Sequence, residues 1–299
     1  MKRPSAKLLM RTVFWCVTVA SVLFLVNYAA TLEFTAVLPV LADANWIAWF
    51  IAALLAFVHV AICGFVFTRS LSSQHARRLW PVYVLSQVAK YVPGRIWSVV
   101  LQRTMIGSGS SSLAVISANL RISAAVVWSQ LIALLALCSI LGMVSPLFVP
   151  VFVAGIFAVD GALSYFARSS RWSILEAWKA PQAAGLTVAA AIGGAMATSA
   201  AWWTLYSWGF SLDGKQSVEA IAVSTASFLA GLASALPAGL GTRDAAFVLL
   251  GRLDLFSLEA AMIPALALAS RLWLLMVDVV SAVVAGTWLL IERRRYQGA

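Results

Sequence analysis

The chain has 299 residues, 62% of them hydrophobic and only 11% charged, with a mean hydropathy of +0.93. So few charges cannot cover a water-facing surface of this size, which excludes a soluble enzyme domain and leaves a bundle of membrane helices whose outer face meets lipid. The net charge is +10, yet the Lys and Arg residues stand in short clusters between apolar runs, a pattern of membrane topology and not of nucleic-acid binding.

The N-terminal MKRPSAKLLMRTVFW leads into an apolar run that reaches about Ala30. A signal-peptide core is about 7–15 residues long; this run is long enough to span and is read as a retained first helix. Apolar segments of spanning length occur at about 8–30, 46–68, 113–143, 147–166, 184–209 and 260–290. Two more apolar stretches, 81–107 and 219–251, differ in carrying helix breakers and charges near their middles: SQVAKYVPGRIWSVVLQR and SALPAGLGTRDAAFVLLGR.

Cytoplasmic loops collect Lys and Arg. Lys2, Arg3, Lys7 and Arg11 therefore place the N-terminus inside, and Arg69, Arg77 and Arg78 mark the next inside loop. Arg168, Arg171 and Lys179 mark another, and Arg293, Arg294 and Arg295 an inside C-terminus. The 31–45 and 210–218 loops, with no basic residue and with Lys215 alone, read as outside. Parity then requires that neither broken stretch crosses. Both are expected to be re-entrant hairpins, one from each side, with a polar cavity between them, because non-helical backbone at membrane depth needs protein or water to satisfy it.

The expected fold is all-α: one integral membrane domain over 1–299, about six spanning helices and two opposed hairpins. Each half, about 1–145 and 146–299, runs helix, helix, hairpin, helix from opposite sides, which is an inverted-topology repeat of the kind found in secondary transporters.

Thirteen of the 21 basic residues lie in the inside clusters and Lys215 lies outside, leaving Lys90, Arg95, Arg103, Arg121, Arg243, Arg252 and Arg271. A cation in the bilayer costs at least about 2.5–3.5 kcal/mol, so these residues should face protein, water or an anionic ligand. Against them stand Asp244 and Asp278. Arg243 and Asp244 suit a local pair and Asp278 a cation on another helix, while Arg103 and Arg252 suit snorkelling to the interface. The surplus favours a phosphate or pyrophosphate headgroup, which the planar guanidinium fork, helix N-termini and Gly-rich turns all suit. Arg121 and Arg271 hold corresponding places in the two halves.

The remaining polar residues fit packing roles. His59 has no acidic neighbour at helical spacing and reads as a core histidine; Asp160 reads as interfacial. Cys16, Cys63 and Cys138 have no partners at metal-ligand spacing, so neither metal nor cofactor is expected. Trp15, Trp46, Trp49, Trp80, Trp172 and Trp288 sit near segment ends, as in interfacial belts. Gly193 and Gly194 permit close helix contact.

KYVPGR at 90–95, followed by a long helix, and LPAGLGTRDA at 236–245, followed by an Arg-bearing final helix, resemble the membrane region of lysylphosphatidylglycerol synthases and the wider set of flippase-like integral membrane proteins. The resemblance implies carriage of lipids across the bilayer: aminoacylated phospholipids or polyprenyl-phosphate-linked intermediates of envelope glycans. It implies functional roles for Lys90, Pro93, Gly94, Arg95, Pro237, Gly239, Gly241, Arg243 and Asp244. Ala238 stands where Gly is common and Asp244 where Glu is usual.

The synthases carry a large soluble aminoacyl-transferring domain, whereas this chain ends at Ala299 just after its last helix, so lipid aminoacylation is not expected. The expected function is a non-enzymatic flippase or transporter of an anionic lipid or lipid-linked saccharide in a bacterial or archaeal cytoplasmic membrane, with envelope biosynthesis enzymes as candidate partners. Lys90, Pro93, Gly94, Arg95, Arg121, Gly239, Gly241, Arg243, Asp244, Arg271 and Asp278 are the candidate binding residues. The alternatives are a membrane-embedded transferase acting on a polyprenyl phosphate and a non-transporting accessory subunit.

Overall fold

The computed structural model of the protein describes residues 42–71, 76–91, 96–107, 110–169, 173–179, 185–234, 239, 241–260 and 262–297. The expected first helix at 8–30, His75, the breaker residues Pro93, Gly94 and Arg95, and Pro237 and Ala238 lie outside the described residues. Within them the chain forms nine α-helices: α1 Trp46–Ser70, α2 Ala76–Ser86, α3 Trp97–Ile106, α4 Ser112–Ile140, α5 Phe148–Ser169, α6 Leu186–Trp203, α7 Gly214–Ala233, α8 Thr242–Gly251 and α9 Met262–Gln297. The last turn of α6 widens into a π-helix over Thr204–Gly209.

Helix starts follow local chemistry. Asn45 Oδ1 accepts from the Ile47 and Ala48 amides at the head of α1, Ser111 Oγ from Ala114 in α4, and Asp213 Oδ1 from Gln216 in α7. Each satisfies amides that the first turn leaves without helical partners. Six helical stretches are long and apolar enough to span: Trp46–Ser70, Ser112–Ile140, Phe148–Ser169, Leu186–Gly209, Gly214–Ala233 and Met262–Glu292. Five coincide with expected spans to within a few residues. The sixth, α7, belongs to the stretch expected not to cross.

The two broken stretches have different builds. In the first, α2 and α3 have 11 and 10 residues, about 16 and 15 Å, half the hydrocarbon thickness of about 30 Å. Pro81 lies within α2, which passes into a 3₁₀ turn over Gln87–Tyr91. The Gln102 amide of α3 donates to Ser86 Oγ at the end of α2 (2.8 Å), so α3 lies against the end of α2. In the second, α7 is 20 residues long and α8 only 10. Beyond α8, Ser257 returns to the second turn of α7, where its N–H and Oγ both donate to Glu219 Oε2 (2.8 and 2.9 Å). Helix α8 packs beside α7.

Close packing rests on small residues, as expected of helices that have no hydrophobic force between them in lipid. A Cβ at Gly194 would come within 2.7 Å of the His59 ring, and one at Gly64 within 2.7 Å of Trp80. These glycines let α6 approach α1, and α2 approach α1. Burial separates centre from periphery: 56% of the apolar window of α7 is buried against 17% of that of α5, so α7 lies inside the bundle and α5 faces the lipid. Trp46 and Trp288 are exposed, as a belt requires, but Trp49 is buried against Phe210 and Trp80 Nε1 donates to the Ala61 carbonyl. These two tryptophans pack the bundle, because each ring finds a neighbouring helix before it finds the interface.

Candidate functional site

Helix α9 assembles the site. Arg271 and Asp278 are seven residues apart, two turns and about 10.5 Å along one face. Each binds one of the broken stretches next to its break. Asp278 accepts from Lys90 Nζ (2.8 Å) and from the Tyr91 hydroxyl (2.5 Å), the last two residues of the 3₁₀ turn. Arg271 Nε donates to Asp244 Oδ1 (2.7 Å), and Nη2 donates to Asp244 Oδ2 (2.8 Å) and to the Gly239 carbonyl (2.9 Å). Asp244 Oδ2 also accepts from the Gly241 amide (3.2 Å), which closes the first turn of α8. The planar fork of arginine suits this two-point grip on a carboxylate.

The glycines of the second stretch are there for geometry. Gly239 has φ +66°, and a Cβ on it would lie 2.7 Å from the Gly231 Cα of α7. Gly241 has φ +75°, a region open to glycine at no steric cost. The backbone can thus run against α7 and turn into α8, which brings Arg243 to the inner face.

Between the broken stretches lies a cavity of about 650 Å³ lined by Lys90, Tyr91, Asn119, Phe228, Arg243 and Arg271, among others. A second chamber of about 400 Å³ shares Lys90, Ser98, Asn119, Ser123 and Phe228 with it and continues past His59, Gln130, Trp202 and Trp273. Arg243 is 4% exposed, its guanidinium lies over the rings of Phe228 (5.2 Å) and Trp202 (5.9 Å), and its Nε and Nη2 have no hydrogen-bond partner among the described residues. Cation–π contact offsets part of the burial cost of such a group, but two unmade hydrogen bonds remain, each costing about 1–3 kcal/mol.

Of the expected site residues, Lys90, Gly239, Gly241, Arg243, Asp244, Arg271 and Asp278 come together here, while Pro93, Gly94 and Arg95 lie outside the described residues. Asp244 pairs with Arg271 and not with its neighbour Arg243, because successive residues of a helix point about 100° apart. Arg121 is elsewhere. It is fully buried against the segment before α6, donating to the Ala177 carbonyl and to Thr187 Oγ1 (both 2.9 Å). Asp160 is likewise buried, not interfacial, accepting from Trp178 Nε1 (3.0 Å) and the Gly185 amide (3.1 Å). The two tie Ala177 and Trp178, and Gly185 and Thr187 at the head of α6, to the bundle. Arg103 donates to Ser112 Oγ (3.2 Å) and to the Gly107 carbonyl, and Arg252 is exposed.

Not all of the seven cations set against two acids in the sequence reach the cavity. Among the described residues Lys90, Arg243 and Arg271 face Asp244 and Asp278 there, which leaves one positive charge. Sequence reasoning passed over Tyr91, Asn119, Ser123, Gln130 and Trp273. A helical wheel finds three of them: Asn119, Ser123 and Gln130 lie on one face of α4, whereas Arg121, two residues past Asn119, lies about 200° away.

Apolar spans, small-residue contacts and a polar, charged interior define a multi-pass helical membrane protein with an internal cavity. Comparison of the chain with protein-family models, with curated proteins and with solved structures finds no match. The resemblance noted above rests on its two short motifs alone.

Proposed function

We propose that the protein binds the headgroup of an anionic membrane lipid or lipid-linked saccharide in this cavity and carries it between the leaflets of a bacterial or archaeal cytoplasmic membrane. Arg243 carries the reading: a buried guanidinium with two unpartnered nitrogens lines a cavity whose surplus charge, among the described residues, is positive. The cavity's lining is otherwise mostly apolar, so the lipid chains remain in the bilayer while the headgroup enters.

We read the two broken stretches as re-entrant from opposite sides and the halves, about 1–145 and 146–299, as an inverted repeat. The short lengths of α2, α3 and α8 and the return of Ser257 to Glu219 support this. Movement of one half against the other would then open the cavity to each side in turn. The positive-inside bias puts both termini in the cytoplasm. A membrane-embedded transferase finds less support, because Asp244 and Asp278 are each committed to a cation and a general base must be free to take a proton.

The test is scrambling in proteoliposomes. Purified protein should equilibrate a fluorescent anionic lipid between leaflets, and Arg243→Gln should lower both its binding and the scrambling rate by at least about tenfold, equivalent to a lost charge-assisted hydrogen bond. Failure to move or bind any anionic lipid, with Arg243→Gln indistinguishable from the parent, sinks the proposal.

A further inference from the structure

The second chamber has a chemistry of its own. Its polar lining is largely uncharged, formed by the amides Gln87, Asn119 and Gln130 with Ser98, Ser123 and Thr198. The charged pair at its edge, Lys90 and Asp278, is closed on itself. Trp273 lines this chamber, is 1% exposed, and its Nε1 has no acceptor among the described residues. Buried indole N–H groups ordinarily find a partner. Trp202 stands beside it, ring centroids 4.7 Å apart.

The amides are held so that they present acceptors. Asn119 Nδ2 is used up by Gln102 Oε1 (2.6 Å) and the Val115 carbonyl (2.8 Å). Its Oδ1 receives only a long contact of 3.4 Å from Gln102. Gln130 donates to Ser129 Oγ (3.4 Å), and its Oε1 accepts from no described residue. Carbonyl acceptors, one indole donor and indole rings together match a ring of hydroxyls, each both donor and acceptor, with apolar C–H faces.

Charge narrows the ligand further. Among the described residues the first chamber supplies one surplus positive charge, which matches a phosphodiester of charge −1. An ammonium in the second chamber would find no free carboxylate among the described residues, because Asp278 already accepts from Lys90 and Tyr91; with only carbonyls and indole faces to hold it, an aminoacyl headgroup is disfavoured.

We infer that the headgroup is an uncharged polyhydroxyl group, such as a single hexose, joined to its lipid through one phosphodiester. This rests on the proposed function: Arg243 takes the phosphate, and Asn119, Gln130 and Trp273 take the hydroxyls. The same chemistry occurs on a polyprenyl or on a diacylglycerol anchor.

The test measures equilibrium binding of four probes to the purified full chain: a short polyprenyl phosphohexose, the matching polyprenyl phosphate, phosphatidylinositol and phosphatidic acid. The glycosyl or inositol diester should bind at least about tenfold more tightly than the bare monoester of its own anchor, the sum of two or three neutral hydrogen bonds. An advantage confined to one anchor identifies that anchor. Trp273→Phe, which keeps a ring and removes the N–H, should weaken the diester about fivefold and leave the monoester within twofold. Should Trp273→Phe fold poorly, Gln130→Met reads the same loss from the acceptor side. Monoesters binding as tightly as diesters would overturn this inference and leave the proposed function standing. No binding by any of the four, with Arg243→Gln also without effect, would remove the proposed function itself.

Discussion

Removing the Asp244 carboxylate with Asp244→Ala is the most demanding test of the site's architecture. Its side chain is 6% exposed and that of Arg271 17%, so solvent screens the pair little. Charge centres about 4 Å apart attract by about 4 kcal/mol at an effective dielectric of 20. The variant also strips the Gly241 amide of its acceptor at the head of α8, worth about 1 kcal/mol. It leaves Arg271 and Arg243 as two uncompensated cations. Breaking a buried pair from one side costs about 3–5 kcal/mol, whereas replacing both partners with apolar groups is often nearly neutral. Asp244→Ala should therefore lower stability by about 3–5 kcal/mol, and Asp244→Ala combined with Arg271→Met should recover most of it. Thermal or denaturant unfolding in one detergent gives the four corners of the double-mutant cycle. A single variant that loses less than about 1 kcal/mol, or a double variant no better than the single, refutes the view that α9 holds the second broken stretch through this pair.

Two further changes separate stability from ligand binding. Arg121→Met should destabilise the protein by about 3 kcal/mol, since the Ala177 carbonyl and buried Asp160 lose their cationic neighbour, yet anionic-lipid binding by the folded fraction should stay within twofold; a selective binding loss would return Arg121 to the cavity. Gly239→Ala places a Cβ 2.7 Å from Gly231 Cα at φ +66°. It should cost more than about 1 kcal/mol in the same unfolding assay, and an unchanged midpoint would show that the two backbones do not meet.

Much of the membrane architecture is legible in the one-dimensional pattern. Spans such as 46–68 and 184–209 announce themselves because a lipid-facing helix needs about 20 apolar residues whatever its neighbours are. The breaks at Pro93-Gly94 and at Pro237, Gly239 and Gly241 are legible for a similar reason: they interrupt long apolar runs with residues that end helices.

What the sequence cannot decide is which cation meets which acceptor. Seven basic residues look alike in a chain with Asp244 and Asp278 as their nearest acids, but Arg121 finds the Ala177 carbonyl 56 residues away and Lys90 finds Asp278 188 residues away. Those partners are set by how the helices close, since a hydrogen bond acts over about 3 Å while its partners may be any distance apart in the chain. Only after that closure does Arg243 stand out as a buried cation with unmade bonds, and only then do Asn119, Gln130 and Trp273, ordinary in the sequence, line the chamber that adjoins its own. The composition determined that this chain belongs in a membrane; the packing of α9 against two broken stretches decided which cation in it is buried with hydrogen bonds unmade.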